Sequence, residues 1–344
     1  MEIAIGVDSH KASLAAATVD PVGRVLDAQE FPNDPGGHEA FLAWARGRGF
    51  PRRIGVEGSR SYGAALTRSL LAQGEDVREV APSLTAAQRR RRHGQGKSDL
   101  VDSVAIARVV VAEEALPTAG RVAILSDLKL LVDYRGQLVR ARTQVANRAH
   151  ADLVAIRPGY GKGVPHLRAK NHLARARSLL RGDPSVRGEL VRRRLTELVR
   201  LDREIAAMNR RLISSVGATG TTLMEIPGVG PFIAAKILGE VGDPSRVRSK
   251  AAFAALSGTA PLPASSGQTH RHRLNRGGNR QLNWALHYIA LAQCRALPEA
   301  QAYIARHREA GKSHREAMRC LKRHLSNVVF RRLSADWRSA DLAA

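Results

Sequence analysis

The sequence predicts an α/β amino-terminal domain followed by two mainly helical regions, and three observations support this. Short apolar runs of strand length alternate with helix-like stretches over residues 1–118. From residue 119 to residue 216 the pattern is almost continuously helical. Residues 217–344 open on a Gly/Pro-rich turn between helical segments. We therefore expect three domains with these bounds.

Three consecutive strands are predicted at the amino terminus. They cover Ile3–Asp8, Leu14–Asp20 and Arg24–Glu30, and the first two are largely apolar. The turn Pro21-Val22-Gly23 makes a hairpin of the last two.

The rest of the amino-terminal domain reads as βα units. A predicted helix is followed by a strand ending at Glu57, a second helix, a short strand, a polar loop and a last helix that starts at Asp99. The predicted ranges are Gly37–Arg46, Ile54–Val56, Tyr62–Gln73 and Val77–Val80, with residues 89–93 in the loop. Hairpin strands followed by βα units predict a ribonuclease H-like fold.

Four acidic residues of this domain, Asp8, Glu57, Asp99 and Asp102, form a candidate metal site. Asp8 and Glu57 end predicted strands, and Asp99 and Asp102 lie three apart on one face of a predicted helix. Clustered carboxylates repel each other and phosphate, whereas hard oxygen ligands bind Mg²⁺, which in turn attracts phosphate. The pattern therefore indicates metal-assisted chemistry on nucleic acid.

Each acid also has a purely local interpretation. Asp99 and Asp102 would serve as a helix cap and its capping-box partner, and Asp8 would open an Asx turn with Ser9. Glu57, which precedes Gly58-Ser59, is equally ambiguous. The joint order of strand-end acids and paired helix acids behind a basic loop favours the metal site.

The charge of the chain is strongly positive. Its 344 residues contain 55 Lys and Arg against 31 Asp and Glu, a net charge of +24. Such an excess spread along a whole chain favours nucleic acid as the partner over a membrane surface. The two cysteines lack metal-ligand spacing, and no apolar run approaches the ~20 residues that span a bilayer. We expect a cytoplasmic, nucleoid-associated protein without a membrane partner.

The helical middle region is basic, with 18 Lys and Arg against 6 Asp and Glu between Arg140 and Arg211. A solvated helical face is one interpretation, and a basic arm that dimerises and follows a phosphate backbone is the other. A short coiled-coil seam with 3-4 spacing favours the arm; its residues are Leu198, Leu201, Ile205, Met208 and Leu212.

The third region opens on Ile226-Pro227-Gly228-Val229-Gly230-Pro231, which is typical of a helix-hairpin-helix. Gly228 and Gly230 would let the turn expose backbone N–H groups to phosphate. An ordinary turn between helices is the alternative.

A second candidate centre follows at Ser265-Ser266-Gly267, directly before a basic run. A serine is a weak nucleophile unless its proton is removed and the attacked centre is polarised. Arginines and a metal beside a phosphodiester would supply that polarisation. The alternative is a flexible Ser/Gly loop beside phosphate-binding arginines.

These motifs together resemble the DEDD-type transposases of bacterial insertion sequences, the recombinases guided by a bridge RNA. The resemblance covers nearly the whole chain, and its motifs are Gly6-Val7-Asp8-Ser9-His10-Lys11, Val56-Glu57-Gly58, residues 97–102, Ser265-Ser266-Gly267 and residues 276–280. Ser103 departs from the family's usual alanine, a small change that should leave metal binding intact.

The resemblance implies a RuvC-like domain, a coiled-coil linker and a helical domain with the helix-hairpin-helix. Asp8, Glu57, Asp99 and Asp102 would hold Mg²⁺ or Mn²⁺. Ser266, or alternatively Ser265, would attack the DNA backbone and form a phosphoserine link. The two domains would form one composite site in a dimer or tetramer, and a bridge RNA would select donor and target DNA.

Further residues are predicted to contact nucleic acid. They are Arg89, Arg90, Arg91, Arg92, Lys97, Gly228, Gly230, Arg271, Arg273, Arg276, Asn279 and Arg280.

Two other functions stay open at this point. A RuvC-like nuclease or junction resolvase would cleave by water activation, but it needs no second centre at a serine. A non-catalytic nucleic-acid scaffold explains the charge but not the four acids.

Overall fold

The computed structural model describes residues 3–49, 51–59, 61–90, 99–114, 116–263, 272, 273, 275 and 277–341. The chain forms two compact units, Met1–Asp127 and Leu128–Ala344. Each unit is described by itself below.

A five-stranded mixed sheet forms the centre of the first unit. Its strands are β1 (Ile3–Ser9), β2 (Ser13–Val19), β3 (Val25–Pro32), β4 (Arg52–Glu57) and β5 (Val77–Val80). They lie in the order β3-β2-β1-β4-β5, with β1 antiparallel to β2 but parallel to β4. The predicted hairpin is present, since β2 and β3 pair antiparallel across a turn with Gly23 at a φ of 81°. The mixed α/β sheet is thus confirmed.

Four helices accompany the sheet, and one corrects a prediction. They are α1 (Pro35–Arg46), α2 (Ala64–Ala72), α3 (Pro82–Arg90) and α4 (Asp99–Ala112). Arg89 and Arg90, assigned from sequence to a polar loop, are the last residues of α3. The helix forms because Thr85 on its inner face is buried, so tertiary packing outweighs the basic end of the segment. Arg91, Arg92 and Lys97 lie outside the described residues.

Helix α4 packs directly on strands β1 and β2, and Gly6 permits this close approach. A β-carbon on Gly6 would lie 2.2 Å from both the Ala107 nitrogen and the Ser103 oxygen. The inner face of α4 is apolar, and Ile106 and Ala107 are fully buried. Backbone contact at Gly6 therefore fixes the position of α4 along β1.

The second unit is mainly helical. Its longer helices are α5 (Ala119–Ile156, which begins in the first unit), α6 (Lys170–Ser178), α7 (Val186–Gly217), α8 (Pro231–Val241), α9 (Lys250–Leu256), α10 (Arg280–Ala296), α11 (Pro298–Glu309) and α12 (His314–Asp341). A two-residue antiparallel ladder joins β6 (Leu262–Pro263) to β7 (His272–Arg273).

Helices α5 and α7 run antiparallel within this unit and are joined by polar side chains. The Arg142 guanidinium contacts Asp202 at 2.5 Å, and Arg194 contacts Asp152 further along. Leu198, from the predicted coiled-coil seam, is buried in an apolar cluster that also contains Leu153 of α5. At that position the seam packs within one chain; its role between two chains stays a prediction.

No helix in the described part of the chain is both long and apolar enough to cross a membrane.

Candidate metal centre and serine segment

Asp8 and Glu57 lie side by side at one end of the sheet. Strands β1 and β4 pair in parallel, and Asp8 is directly opposite Glu57 in their register. The Ser9 hydroxyl donates a hydrogen bond of 2.8 Å to the Glu57 carbonyl oxygen and ties the two strand ends together. Parallel pairing therefore brings two carboxylates that are 49 positions apart in sequence to one edge of the sheet.

The first turn of α4 brings Asp99 and Asp102 toward Asp8. Both belong to that turn, and the charges of both act on the Asp8 carboxyl. The Ser103 hydroxyl donates 2.8 Å to the Leu100 carbonyl oxygen and stays within the helix. The serine that departs from the family's usual alanine thus makes a local contact, away from the acids.

His10 lies between two of the acids. Its Nε2 atom is 3.3 Å from an Asp8 oxygen and 3.4 Å from an Asp99 oxygen. This nitrogen is buried, and its alignment gives it no hydrogen-bond partner among the described residues. Ligand atoms of Asp8, His10 and Asp99 all lie within 4.8 Å of one another.

The electrostatic state of Asp8 reflects this crowding. Burial raises the pKa of the Asp8 carboxyl above its usual value, His10 opposes the rise, and Asp102 and Asp99 add to it. A cation at the same point would reverse the effect, because an opposite charge favours the ionised carboxylate.

The Glu57 side chain is held by α3. The Thr85 hydroxyl donates to a Glu57 carboxylate oxygen at 3.1 Å, and Thr85 is 1% exposed. This contact fixes the orientation of a carboxylate that sequence analysis could place only by its backbone.

The donor set fits a divalent cation. Carboxylate oxygens are the ligands of Mg²⁺ and Mn²⁺, and an imidazole nitrogen suits transition metals. The raised pKa of Asp8 is a feature that a bound cation would relieve, and the buried Nε2 of His10 lies beside the same carboxylates.

Sequence analysis missed His10 and Thr85 as site residues. His10 stands two positions after Asp8, and this short spacing was the available signal. Its position depends on the turn after β1, where the His10 N–H donates to the Ser13 carbonyl oxygen at 2.9 Å. Nothing in the sequence marks Thr85, because its contact with Glu57 depends on how α3 packs.

The structure describes only residues on either side of the second candidate centre. Ser265, Ser266, Arg271 and Arg276 lie outside them. Strands β6 and β7 pair on either side of residues 264–271. Pro263 and His272 are therefore direct neighbours in the ladder, and Arg273 of β7 is exposed.

The two glycines of the predicted phosphate-binding turn have different surroundings. Gly228 has a φ of 88° and packs against α10, where a β-carbon would meet Ala292 at 3.0 Å. Gly230 caps the start of α8 in open space, without a side-chain hydrogen bond. Of the two, only Gly230 lies in open space at the start of α8.

Asn279 and Arg280 start α10. The Asn279 side-chain oxygen accepts from the Gln281 N–H at 2.8 Å and the Leu282 N–H at 3.0 Å. Its amide donates to Glu240 at 2.6 Å, so Asn279 has a helix-capping role in the fold. Arg280 is exposed.

Two family models match the chain. A transposase model of the DEDD type, named for insertion element IS110, matches residues 5–158. A model described as the transposase IS116/IS110/IS902 family matches residues 220–305. The first match contains the four acids, and the second contains both serines and the Gly228 turn.

Similar proteins are found in Streptomyces. An uncharacterized 44.8 kDa protein of insertion element IS116 from Streptomyces clavuligerus is 24% identical over 95% of this chain and 93% of its own length. A mini-circle putative transposase for IS117 from Streptomyces coelicolor is 25% identical over 94% and 90%.

Two further similarities cover less of the chain. An uncharacterized 43.6 kDa protein of insertion element IS110 from Streptomyces coelicolor is 29% identical over 69% of this chain and 70% of its own length. Among solved structures, Thermus thermophilus RuvC bound to a Holliday junction substrate covers 34% of this chain and 99% of its own, with 17% identity and a TM-score of 0.28.

The two models match in the order that the motifs predicted, the first over the first unit and the start of the second and the other within the second unit. Relatives with insertion-element names align with almost the full length. The chain therefore belongs to the IS110/IS116/IS902 family of DEDD transposases, enzymes of DNA recombination.

Proposed function

We propose that this transposase is an RNA-guided, site-specific recombinase with a metal centre at Asp8, Glu57, Asp99 and Asp102 and a serine nucleophile in the second unit. The observation that carries the proposal is the meeting of β1, β4 and α4 at one end of the sheet. The three elements bring carboxylates from distant parts of the chain to one point, within a family that acts on DNA.

The four acids hold Mg²⁺ or Mn²⁺, with His10 beside them. A divalent cation bound there supplies positive charge next to the scissile phosphate and the leaving oxygen. Asp8 and Asp99 lie close to His10, and Thr85 orients Glu57 through its hydroxyl. The chain's own part is to hold the carboxylates in one arrangement, which the sheet register and the packing of α4 on Gly6 support.

The serine step is a phosphoryl transfer onto the protein. The hydroxyl oxygen of Ser266, or alternatively of Ser265, attacks the phosphorus of a DNA phosphodiester. A P–O bond to the serine forms, the P–O bond to the leaving deoxyribose oxygen breaks, and the serine proton ends on that oxygen. The bond energy is retained as a phosphoserine ester, so the strand is available for rejoining to another end.

Guidance by RNA follows from the resemblance to bridge-RNA-guided transposases and from the net charge of +24. The basic helices α5–α7, the exposed Arg280 and the turn at Gly228 and Gly230 are the surfaces that we assign to nucleic acid. We assign the turn to a helix-hairpin-helix, and the first domain to a RuvC-like fold. We further assign the protein to dimers or tetramers on donor and target DNA, in the nucleoid.

A covalent-complex assay tests the proposal. End-labelled donor DNA is incubated with full-length protein, Mg²⁺ and RNA transcribed from the element's flank, and the products are run on a denaturing protein gel. We expect a protein-linked DNA band that nuclease treatment shortens and that is absent from the Asp8→Asn variant. The Ser265→Ala/Ser266→Ala double variant should bind DNA but form no such band.

The outcomes separate the alternatives. Cleaved DNA without a protein-linked band indicates a water-activating nuclease. A band that survives in the double serine variant overturns the serine assignment. Recombination that proceeds equally without RNA overturns guidance but leaves the metal and serine chemistry standing.

A further inference from the structure

A basic cavity lies in the second unit beside the strands that frame the serine segment. Its volume is about 700 Å³. One wall is formed by residues 258–261 and Arg273 of β7, and the opposite walls by α11 and α12. The residues directly before β6, together with Arg273 of β7, therefore belong to the wall of this cavity.

The cavity has an excess of cationic side chains. Arg273, Lys312, Arg319, Lys322 and Arg323 line it, whereas Glu316 is the one carboxylate in its described wall. That carboxylate is already engaged, since it accepts 2.9 Å and 2.8 Å hydrogen bonds from the Ser313 backbone and hydroxyl and lies 3.7 Å from Arg319. The lining thus has a net positive charge and attracts an anion.

Lys322 is the most informative residue of this lining. It is 7% exposed, and its ammonium group donates to the Asn283 side-chain oxygen at 2.5 Å. Within the described residues it forms no ion pair, and Arg319 is a like charge beside it. A buried cation without a counter-charge is costly for a folded protein, and such groups concentrate at binding sites.

Burial, with Arg319 in second place, lowers the pKa of Lys322 to about 8. A phosphate oxygen beside the amine would favour the charged form and raise this pKa again. The cavity's position, its cationic lining and the lysine without a counter-charge all favour an anionic ligand with phosphate oxygens.

We propose that this cavity binds a phosphodiester of the DNA backbone, with Lys322 as a ligand-binding and positioning residue. The proposal rests on the assignment of the serine segment to DNA chemistry, because β6 and β7 lead from the cavity wall into that segment. DNA is the occupant, since the family acts on DNA and the described lining has five Lys and Arg side chains against one carboxylate.

The test compares DNA binding by full-length variants. Fluorescence anisotropy measures affinity for a labelled duplex DNA over a range of salt concentrations. We expect Lys322→Met to weaken binding roughly five- to tenfold and to lower the slope of log affinity against log salt by about one, as for the loss of one phosphate contact.

Two further variants keep the comparison interpretable. Lys312→Met removes an exposed cation from the same cavity and should weaken duplex binding in the same direction. Lys250→Met removes an exposed cation at the start of α9, outside the cavity lining, and reports the effect of net charge alone. Circular dichroism confirms that each variant is folded.

Each result decides the proposal. Equal affinities for Lys322→Met and Lys250→Met would overturn it, and so would a loss confined to a single-stranded RNA probe. The measurement is repeated in the Ser265→Ala/Ser266→Ala background, where no covalent step occurs. A Lys322 effect that persists there supports the cavity even if the serine chemistry fails the covalent-complex assay.

Discussion

The buried ammonium of Lys322 should make the second unit more stable as the pH rises above neutrality. In the folded chain burial, followed by the charge of Arg319, lowers the Lys322 pKa to about 8 from the usual 10.5. The unfolded chain therefore binds more protons than the folded chain between about pH 8 and pH 10.5, and stability rises with pH across that window.

The size of the effect follows from the two pKa values. A difference of about 2.5 units corresponds to roughly 3 kcal/mol in the free energy of unfolding over the whole window. Between about pH 7 and pH 9 the gain is about 1 kcal/mol. The neighbouring His287 does not add to it, because burial and Lys322 lower its pKa from 6.5, below this range.

The assay needs a signal from the second unit alone. The three tryptophans are Trp44 in the first unit and Trp284 and Trp337 in the second. A Trp44→Phe background therefore reports urea unfolding of the second unit by fluorescence. Lys322→Met in this background should lose about 1 kcal/mol of the pH-dependent gain between about pH 7 and pH 9, whereas Lys250→Met should keep it.

An identical pH dependence in the Lys322→Met variant and its parent would refute the reasoning. It would mean that the amine is hydrated in solution or has a counter-charge from outside the described residues. The comparison is between slopes, so the lost hydrogen bond to Asn283, which lowers stability at every pH, does not affect it.

Three further predictions concern the fold and the metal centre. Gly6→Val should destabilise the first unit by about 3 kcal/mol or more, seen by thermal circular dichroism, because its side chain would meet the α4 backbone. Asp8→Asn should raise the melting temperature of the metal-free protein, since burial and two nearby acids disfavour the charged form, and should abolish the shift produced by Mn²⁺. Asn279→Ala should cost about 1–2 kcal/mol in urea unfolding through loss of the α10 cap, and an unchanged midpoint would contradict that capping role.

The sheet was predictable because its strands carry their own signals. Apolar runs of strand length ended at Asp8 and Glu57, and parallel pairing of β1 with β4 sets the two acids in register. The end of α3 was not predictable in this way, because the arginine run at 89–92 is typical of a loop until Thr85 is seen to be buried. Two-residue strands such as β6 and β7 are too short to show the alternation of apolar and polar residues by which a strand is predicted.

The cavity could not be predicted from the sequence either. Lys322 is one of many basic residues on α12, and its residue type does not distinguish it from Arg319 and Arg323, which are only partly buried. Its burial depends on contacts between α12, α10 and α9, which are close in space but not in the chain. Composition therefore predicts a basic surface, and only packing shows which cation is buried.

Each of the two candidate centres contains a group whose surroundings disfavour its ionised form. The group is a carboxylate in the first unit and an ammonium in the second. In the first unit burial, with the charges of Asp102 and Asp99, raises the pKa of Asp8, and the second unit holds a buried lysine beside another cation. Each arrangement reduces the stability of the free protein, and a ligand of opposite charge would restore it. A divalent cation should then stabilise the first unit, and duplex DNA the second, even in variants that cannot form the phosphoserine bond. Separate ligand-induced shifts of this kind would distinguish binding at each centre from the chemistry that we assign to them together.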